Sequence, residues 1–552
     1  MDFGLARCRR KAVTITLLLR SSDSTSVRIV AFGVPACAGA LVALPTFAVL
    51  RAIAAAWHAD DVRAISTSHL ALSPSLLLST LAWAVGIAMV AVLLAWLPAC
   101  ALARNGAFAK GRAAPLAALV LVPMLLPSYL IYHALGLSRA PQTLLGDWLE
   151  QLSHGPFPAA PVLAGRVIAF VGLALWTWPL AALVMGWALS HAPPSFGEAL
   201  RIDGAPRWRR HLELAKLARI SILWSACLLT LIMLGSSVPL HLAQVPTISL
   251  QAWLSINIDP THVKVWLMTW PVLLVALLTS TLFARRLSRT NEFASAEPPR
   301  SQRRSPDLSL VALGCLTCTA TLVPLLLYAI TLRNWQSLAV FLRVSGDAIV
   351  RSAVIALLVA GVLTCFTVAT WYLLSVRRRR SVCIMAFIGM FCLLTPGSLV
   401  GQAWSLAVNL PFVADGLADS SLPSIASHVT RFLGVAVLAG AFFARSESPS
   451  VRAQRDLDAG TGLRAWGVTS LAGRLPALLG LALAFACLSL HEIDSSIVLQ
   501  QPGTQSLAQT LLAQLHFARQ EEMAAGAIIV VGSGLIVATI AAALLTRARP
   551  SD

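Results

Sequence analysis

Residues 77–103 read LLSTLAWAVGIAMVAVLLAWLPACALA and contain no charged side chain. A helix needs about 20 consecutive apolar residues to span a bilayer. Twelve such stretches occur along the chain, at 29–53, 77–103, 113–136, 160–189, 219–243, 263–284, 308–331, 349–375, 382–408, 424–444, 475–499 and 523–546. A soluble fold would not supply so many with polar turns between them. The sequence therefore predicts an all-α membrane protein with about 12 transmembrane helices.

Composition agrees with this class, because 57% of the residues are hydrophobic and only 12% are charged, against roughly 25% charged residues in soluble domains. The net charge of +18 would suggest nucleic-acid binding in a soluble protein. Here the basic clusters fall instead near alternate connections between spans, at 7–11, 104–112, 201–219, 285–304, 377–380, 445–474 and 547–549. The positive-inside rule then predicts that both termini are cytoplasmic. We expect a multi-pass protein of a bacterial inner membrane, in contact with the lipid bilayer and not with nucleic acid.

The 10 cysteines give no sign of a metal or disulfide site. Most lie in predicted spans, where a cysteine behaves as a small apolar residue. Cys315 and Cys318 form a C-x-x-C pair, but it lies in an apolar helix without a second pair or a nearby histidine. We therefore predict no metal site.

The chain divides into two related halves at a polar, basic stretch, 285–307, that suits a flexible cytoplasmic connector. Six predicted spans lie on each side. Gly204 and Gly460 correspond between the halves, and the third span of each half carries an internal proline, Pro127 or Pro396. The predicted organisation is a cytoplasmic tail at 1–28, a six-helix unit at 29–284, the connector, a pseudo-repeated six-helix unit at 308–546 and a second cytoplasmic tail at 547–552.

The connection between the fourth and fifth predicted spans carries the most specific motif. Residues 198–211 read EALRIDGAPRWRRH. This segment resembles the EAA loop of binding-protein-dependent ABC importer permeases, in both its residues and its place in a six-span unit. The resemblance implies an ATPase-coupling loop that includes Glu198, Ala199, Asp203, Gly204 and Ala205. A glycine at 204 permits positive φ and a close backbone approach.

The second half carries a weaker copy, and the resemblance extends to the partners. Residues 454–466 read QRDLDAGTGLRAW, in which Asp458, Ala459 and Gly460 match the motif but the Glu-Ala-Ala head is missing. The chain has no G-x-x-x-x-G-K-[ST] phosphate loop. The resemblance therefore implies a non-enzymatic permease with no cofactor of its own, two separate ATPase subunits that bind ATP, and a periplasmic solute-binding protein. The fusion of two six-helix units in one chain resembles the permeases of ferric-iron and thiamine importers.

Polar residues at the far end of the fifth span in each half are candidates for the substrate pathway: Ser236, Ser237, His491, Glu492 and Asp494. Ionisable groups within a span are costly and usually face a cavity or a partner. The alternative is that these groups already lie in the hydrated outer interface.

Three other interpretations stay open. The 198–211 segment could be a solvated basic loop. The chain could be a secondary transporter, which also uses 6+6 repeats and needs ion-coupling residues deep within its spans. It could also be a membrane-embedded enzyme, which would need His, Glu or Asp residues grouped at one depth on several helices.

Overall fold

The structure is a computed structural model, and every regular element in its described part is a helix. The described residues are 2–58, 73–105, 114–155, 157–193, 196, 199–200, 202–258, 264–289, 308–411, 413, 420–447, 449–458, 462–499 and 505–547. The helices of the first half, residues 2–289, are α1 (Asp2–His58), α2 (Pro74–Arg104), α3 (Ala114–Leu121), α4 (Ser128–Leu137), α5 (Leu144–His154), α6 (Ala160–Ser190), α7 (Arg207–Leu217), α8 (Arg219–Leu234), α9 (Val238–Leu242), α10 (Ile248–Ile258), α11 (Lys264–Met268) and α12 (Trp270–Arg289).

The second half, residues 308–547, has a similar order of long and short helices. They are α13 (Leu308–Thr331), α14 (Gln336–Val344), α15 (Gly346–Ser375), α16 (Arg379–Leu394), α17 (Gly397–Val408), α18 (Leu422–Arg445), α19 (Pro449–Asp458), α20 (Leu463–Trp466), α21 (Leu475–Leu490), α22 (Asp494–Val498), α23 (Leu507–His516) and α24 (Gln520–Arg547). A π-helical turn, Gly467–Leu471, and a 3₁₀ turn, Ala472–Arg474, connect α20 to α21.

The membrane class predicted from the sequence is confirmed. Among the described residues, nine helices are long and apolar enough to cross a membrane, and the number rises to 12 if each of three bent helix pairs forms one span. These helices coincide with the twelve predicted stretches. Much of their surface is apolar and exposed, as expected for side chains that face lipid.

Two predicted spans are broken and not merely kinked. Before α4, the helical segment that ends at Leu125 meets α4 at 77°, and α16 meets α17 at 107°. Pro127 and Pro396 stand at these breaks in extended conformations. A proline cannot donate to the helical ladder and disfavours helix in the residue before it. Each break therefore exposes backbone groups at the middle of a bundle.

The fifth span of each half is shorter than predicted. The helix α8 ends at Leu234 and α21 ends at Leu490, and each is followed by a separate short helix, α9 or α22. The prediction of continuous spans over 219–243 and 475–499 is therefore wrong. Gly235, a poor helix former, caps α8, and the Glu492 carboxylate caps α22 by accepting from the Ser495 N–H at 3.1 Å.

The two halves exchange their first spans. The helix α1 packs against α16 and α17, and α13 packs against α2 and α4 as well as against α24 of its own half. Within each half, the closest pairs are α2 with α6 and α15 with α18. The buried apolar core is continuous across the halves, since Leu313 joins the core of the first half and Ala38 joins that of the second.

Candidate functional site

The connector between α6 and α8 begins with a short helical turn that ends at Gly204. The Asp203 N–H donates to the Ala199 carbonyl at 2.9 Å, and the Ala205 N–H donates to the Leu200 carbonyl at 3.1 Å. Gly204 has a φ of +67°, which a residue with a Cβ rarely adopts. This is the Schellman arrangement that ends a helix. The backbone conformation considered for Gly204 from the sequence is therefore present.

The same connector presents apolar side chains to its surroundings. Ile202 is 86% exposed, Trp208 is 69% exposed, and Leu212 lies one helical turn after Trp208 and is also exposed. The Trp96 indole Nε1 donates to Nδ1 of His211 at 3.3 Å, which ties α7 to the end of α2. The connector therefore holds an apolar surface in a defined position outside the spans.

Part of both predicted coupling sites cannot be placed. Glu198, Ala459 and Gly460 lie outside the described residues. Asp458 is the last residue of α19, and its side chain also lies outside the described part. Leu457, directly before it, is strongly exposed.

A buried ion pair anchors the second connector. The Arg455 guanidinium lies 2.8 Å from Glu447 Oε1, and both side chains are more than nine-tenths buried. The Ser470 hydroxyl donates to the same carboxylate oxygen. These contacts join α19 to the residues after α18 and to the π-helical turn, so the second connector is fixed by charge while the first is fixed by an indole–imidazole contact.

The two tryptophans that follow the motif glycines differ in their surroundings. Trp208 is exposed, whereas Trp466 is only 2% exposed and packs edge-on against Trp371 at 5.0 Å and Tyr372 at 5.2 Å between ring centroids. The sequence match between them therefore does not extend to a shared surface. Of the two, only the tryptophan of the first connector is exposed.

A charged cluster lies where the broken span of the second half meets the ends of α21 and α18. Arg431 Nε lies 3.2 Å from Glu492 Oε2, and the Arg431 Nη1 donates to the Thr395 carbonyl at 2.6 Å. The Ser495 hydroxyl and N–H both donate to the other Glu492 oxygen at 3.1 Å. The arginine therefore satisfies both a carboxylate and the carbonyl that the helix break exposes.

The cluster continues into the first half through Asp494. The Ser237 hydroxyl donates to Asp494 Oδ1 at 2.7 Å, so two of the predicted pathway residues are in direct contact across the two halves. Ser236 lies next to this contact in the turn after α8, and its N–H donates to the Met233 carbonyl. The His491 N–H closes the last turn of α21, and its side chain makes none of the contacts in this cluster.

Gly397 stands against the cluster with no room for a side chain. A Cβ at this residue would lie 2.7 Å from the Asp494 Cβ and 2.9 Å from Glu492 Oε1. On the facing half, a Cβ at Gly235 would lie 3.4 Å from the Pro396 Cα. The break after Pro396 therefore brings backbone, both carboxylates and the first half into one crowded place.

A buried histidine links the charged cluster to α18. His428 Nδ1 lies 2.8 Å from the Ser489 Oγ, and Nε2 lies 2.9 Å from the Ser496 Oγ. The Ser496 hydroxyl donates to the Glu492 carbonyl at 2.6 Å, so its oxygen can accept from the Nε2–H of His428. Both ring nitrogens contact serines and not a carboxylate that would orient the imidazole as a general base, so the ring joins α18 to α21 and α22.

Sequence reasoning overlooked Arg431 and His428, although a signal for both was present. They lie inside the predicted span 424–444, and ionisable residues in a span are functional candidates. The Glu447–Arg455 pair had no such signal, because charges are ordinary in a connector. In the part of the chain that the structure describes, no group of three His, Cys, Asp or Glu side chains could hold a metal ion.

The chain was also compared with known proteins. No family model, curated protein or solved structure matches it. Its function has to be inferred from its own residues.

Proposed function

We propose that this chain is the permease subunit of an ATP-binding-cassette importer in a bacterial inner membrane, with both termini in the cytoplasm. It would form the path for a small solute, of the ferric-iron or thiamine class, delivered by a periplasmic binding protein. Two separate ATPase subunits would bind and hydrolyse ATP. The observation that carries the proposal is the first connector, in which a glycine-ended helical turn and α7 hold exposed apolar side chains between two spans.

The contacts of this connector suit a groove on a soluble partner. Ile202, Trp208 and Leu212 would lose their exposure by insertion, which is how an amphipathic helix binds an apolar groove. Gly204 sets the angle between the short turn and α7. The exposed Leu457 at the end of α19 would make the corresponding contact of the second half, although the altered motif there suggests that the two connectors contribute unequally.

Matching hydrogen bonds support a duplicated 6+6 arrangement. The Thr80 hydroxyl oxygen accepts from the Ile248 N–H at 3.0 Å, and the Ser352 hydroxyl oxygen accepts from the Leu507 N–H at 2.8 Å. Each hydroxyl lies near the start of a long span, α2 or α15, and each N–H belongs to the first residue of a short helix, α10 or α23. The same pair of contacts thus occurs at matching places in the two halves.

The two broken spans support the same arrangement. In the first half, the Trp176 Nε1 donates to the Leu126 carbonyl at 2.9 Å. In the second half, Arg431 donates to the Thr395 carbonyl. Each donor lies on the fourth span of its half, α6 or α18, and each acceptor directly precedes the proline of the break. Trp176 and Arg431 are therefore equivalent positions in the proposed repeat.

The path itself would run between the halves, past Ser237 and Asp494. Their hydrogen bond, with the close approach of Gly235 to Pro396, would hold the halves together on one side of the membrane. Movement of the connectors by the ATPase subunits would separate these contacts and open the path. Such a change requires that ATP or the loaded binding protein bind one state more tightly than the other.

A secondary transporter is the second candidate. Arg431, Glu492 and Asp494 are three ionisable side chains at the ends of membrane helices. Ion-coupled transporters place their coupling residues at such interrupted helices. Uptake into proteoliposomes separates the two candidates. Dependence on ATP and an ATPase subunit favours the importer, and uptake driven by an imposed ion gradient alone favours the secondary transporter.

The test of the proposal is association with an ATPase subunit. We expect the full-length protein to co-purify with the ATPase, and Ile202→Asp to reduce the recovered ATPase by at least fivefold, because the substitution places a charge in the predicted groove. Leu144→Asp is the matched control. Leu144 is 96% exposed and lies on the connection before α6, which is one span away and therefore on the opposite face of the membrane.

Equal ATPase recovery with both variants would contradict the assignment of this connector. So would a stronger effect of Leu144→Asp, because the two connections would then have exchanged sides. Membrane insertion of each variant is checked by its yield and by its elution volume in detergent.

A further inference from the structure

A polar cavity of about 250 Å³ lies inside the second half, between α15, α18, the end of α21, α22 and the start of α23. Seven serines line it, together with Arg351, His428, Glu492 and Gln509. Six of the lining residues are polar and more than nine-tenths buried: Ser352, His428, Ser489, Glu492, Ser496 and Gln509. Polar groups are costly within membrane helices and generally serve a function there.

The first half offers an internal comparison. The third residue of α9 is Leu240, whereas the third residue of α22 is Ser496. The next-to-last residue of α8 is Met233, and that of α21 is Ser489. Leu240 and Met233 are both buried in the apolar core of the first half.

At two further pairs of positions, the first half again has an apolar residue where the second half has a polar one. The third residue of α10 is Leu250, and that of α23 is Gln509. Leu173 lies three residues before Trp176, and His428 lies three residues before Arg431. Trp176 and Arg431 are the side chains that donate to the carbonyls at the two helix breaks. Leu173 and Leu250 are buried. Four equivalent positions are thus apolar in the first half and polar around the cavity in the second.

We infer that this cavity is a binding site for a small, uncharged, polyhydroxylated solute. Its volume corresponds to about eight water molecules at roughly 30 Å³ each, which suits a molecule the size of a four- or five-carbon polyol. Serine hydroxyls both donate and accept hydrogen bonds, as the hydroxyls of such a solute do. The single lining carboxylate, Glu492, is already paired with Arg431, so the site has no unbalanced carboxylate for a cationic ligand.

The position of the site connects it to the contact between the halves. Glu492 lines the cavity and also lies in the charged cluster with Arg431. Asp494, two residues later, accepts from Ser237 of the first half. A bound solute therefore contacts the same loop that holds the halves together. The identification of this solute with the transported one rests on the importer of the proposed function and would replace the cationic ferric-iron or thiamine class named there, whereas binding itself does not depend on that function.

The test is solute binding by the purified full-length chain in detergent, without an ATPase. Xylitol and erythritol are the probes, and the readout is the midpoint of thermal unfolding, which a ligand of the native state raises in a saturable way. Polyols at high concentration stabilise proteins without binding. The comparison is therefore with a cavity-filled variant, Ser489→Met with Ser496→Leu, which introduces the residues that the first half has at these positions.

We expect a saturable rise at millimolar xylitol in the natural protein and at least a tenfold weaker apparent affinity in the filled variant. Ser533→Leu, on the exposed side of α24, should bind as the natural protein does. If the double variant does not fold, Ser424→Leu is a milder way to fill the cavity. Acetate and choline serve as charged probes.

The inference is overturned if the natural and filled proteins respond equally to xylitol, or if only a charged probe gives a saturable response. Failure of the proposed function is distinguishable from this outcome. A chain that binds xylitol but does not co-purify with an ATPase refutes the importer and leaves the binding site standing, and the reverse result refutes the site alone.

Discussion

Replacing Arg431 by tryptophan tests how the charged cluster is held. In the proposed repeat, tryptophan is the residue at the matching position of the first half, where the Trp176 Nε1 donates to the carbonyl before Pro127. The variant can therefore keep the hydrogen bond to the Thr395 carbonyl while it removes the positive charge. It leaves Glu492, which is only 8% exposed, without the arginine that pairs with it in the natural protein.

The expected loss follows from the geometry of the pair. At the 3.2 Å that separates Arg431 Nε from Glu492 Oε2, the charge–charge attraction is about 5 kcal/mol at an effective dielectric constant near 20. Breaking a buried pair by removal of one partner costs about 3–5 kcal/mol. We expect Arg431→Trp to lower the free energy of unfolding by an amount in this range.

The assay is equilibrium unfolding in mixed micelles, with a double-mutant cycle. Glu492→Ser introduces the residue found two positions after the end of α8 in the first half, Ser236. Arg431→Trp combined with Glu492→Ser removes both charges, so the double variant should be more stable than Arg431→Trp alone. Strictly additive losses would show that the two side chains do not interact, and would refute the account of the cluster.

Two further substitutions test other close contacts. Gly434→Ala should lower the free energy of unfolding by roughly 1–3 kcal/mol through overpacking, because the new Cβ would lie 2.6 Å from the Gly389 carbonyl oxygen; an unchanged midpoint in thermal unfolding would contradict this. Arg455→Met should cost about 3–5 kcal/mol because it leaves Glu447 buried without its closest cation. The control Arg452→Met should cost no more than about 1 kcal/mol, since Arg452 is half-exposed and lies 3.8 Å from the same carboxylate; equal losses would count against the buried pair.

The membrane class could be predicted from the sequence because it depends on the length and apolarity of each stretch. Those are local properties, and every predicted stretch contains a helix. The breaks were harder to predict. A proline within a span permits anything from a slight kink to a full break, and the choice at Pro396 depends on Gly397 and on the Arg431 side chain that satisfies the freed carbonyl. These are contacts between distant parts of the chain.

In the candidate site too, features set by local sequence could be predicted and features set by contacts between distant residues could not. The conformation of Gly204 follows from local chemistry, and the sequence could indicate it. The contact between Ser237 and Asp494 joins residues from different halves, and no local pattern specifies it. Both residues were selected from the sequence only because polar groups within a span cost free energy. That argument cannot distinguish a contact between the halves from an interface with water.

The exchange of first spans has a consequence for how such a protein is made. Because α1 lies against the broken span of the second half and α13 lies against the first half, neither half can complete its own packing while the other is missing. Two separate polypeptides would have to meet in the membrane by diffusion, and an unequal supply would leave unpaired copies for degradation. Synthesis as one polypeptide raises the effective concentration of each half near the other and fixes their ratio at one to one.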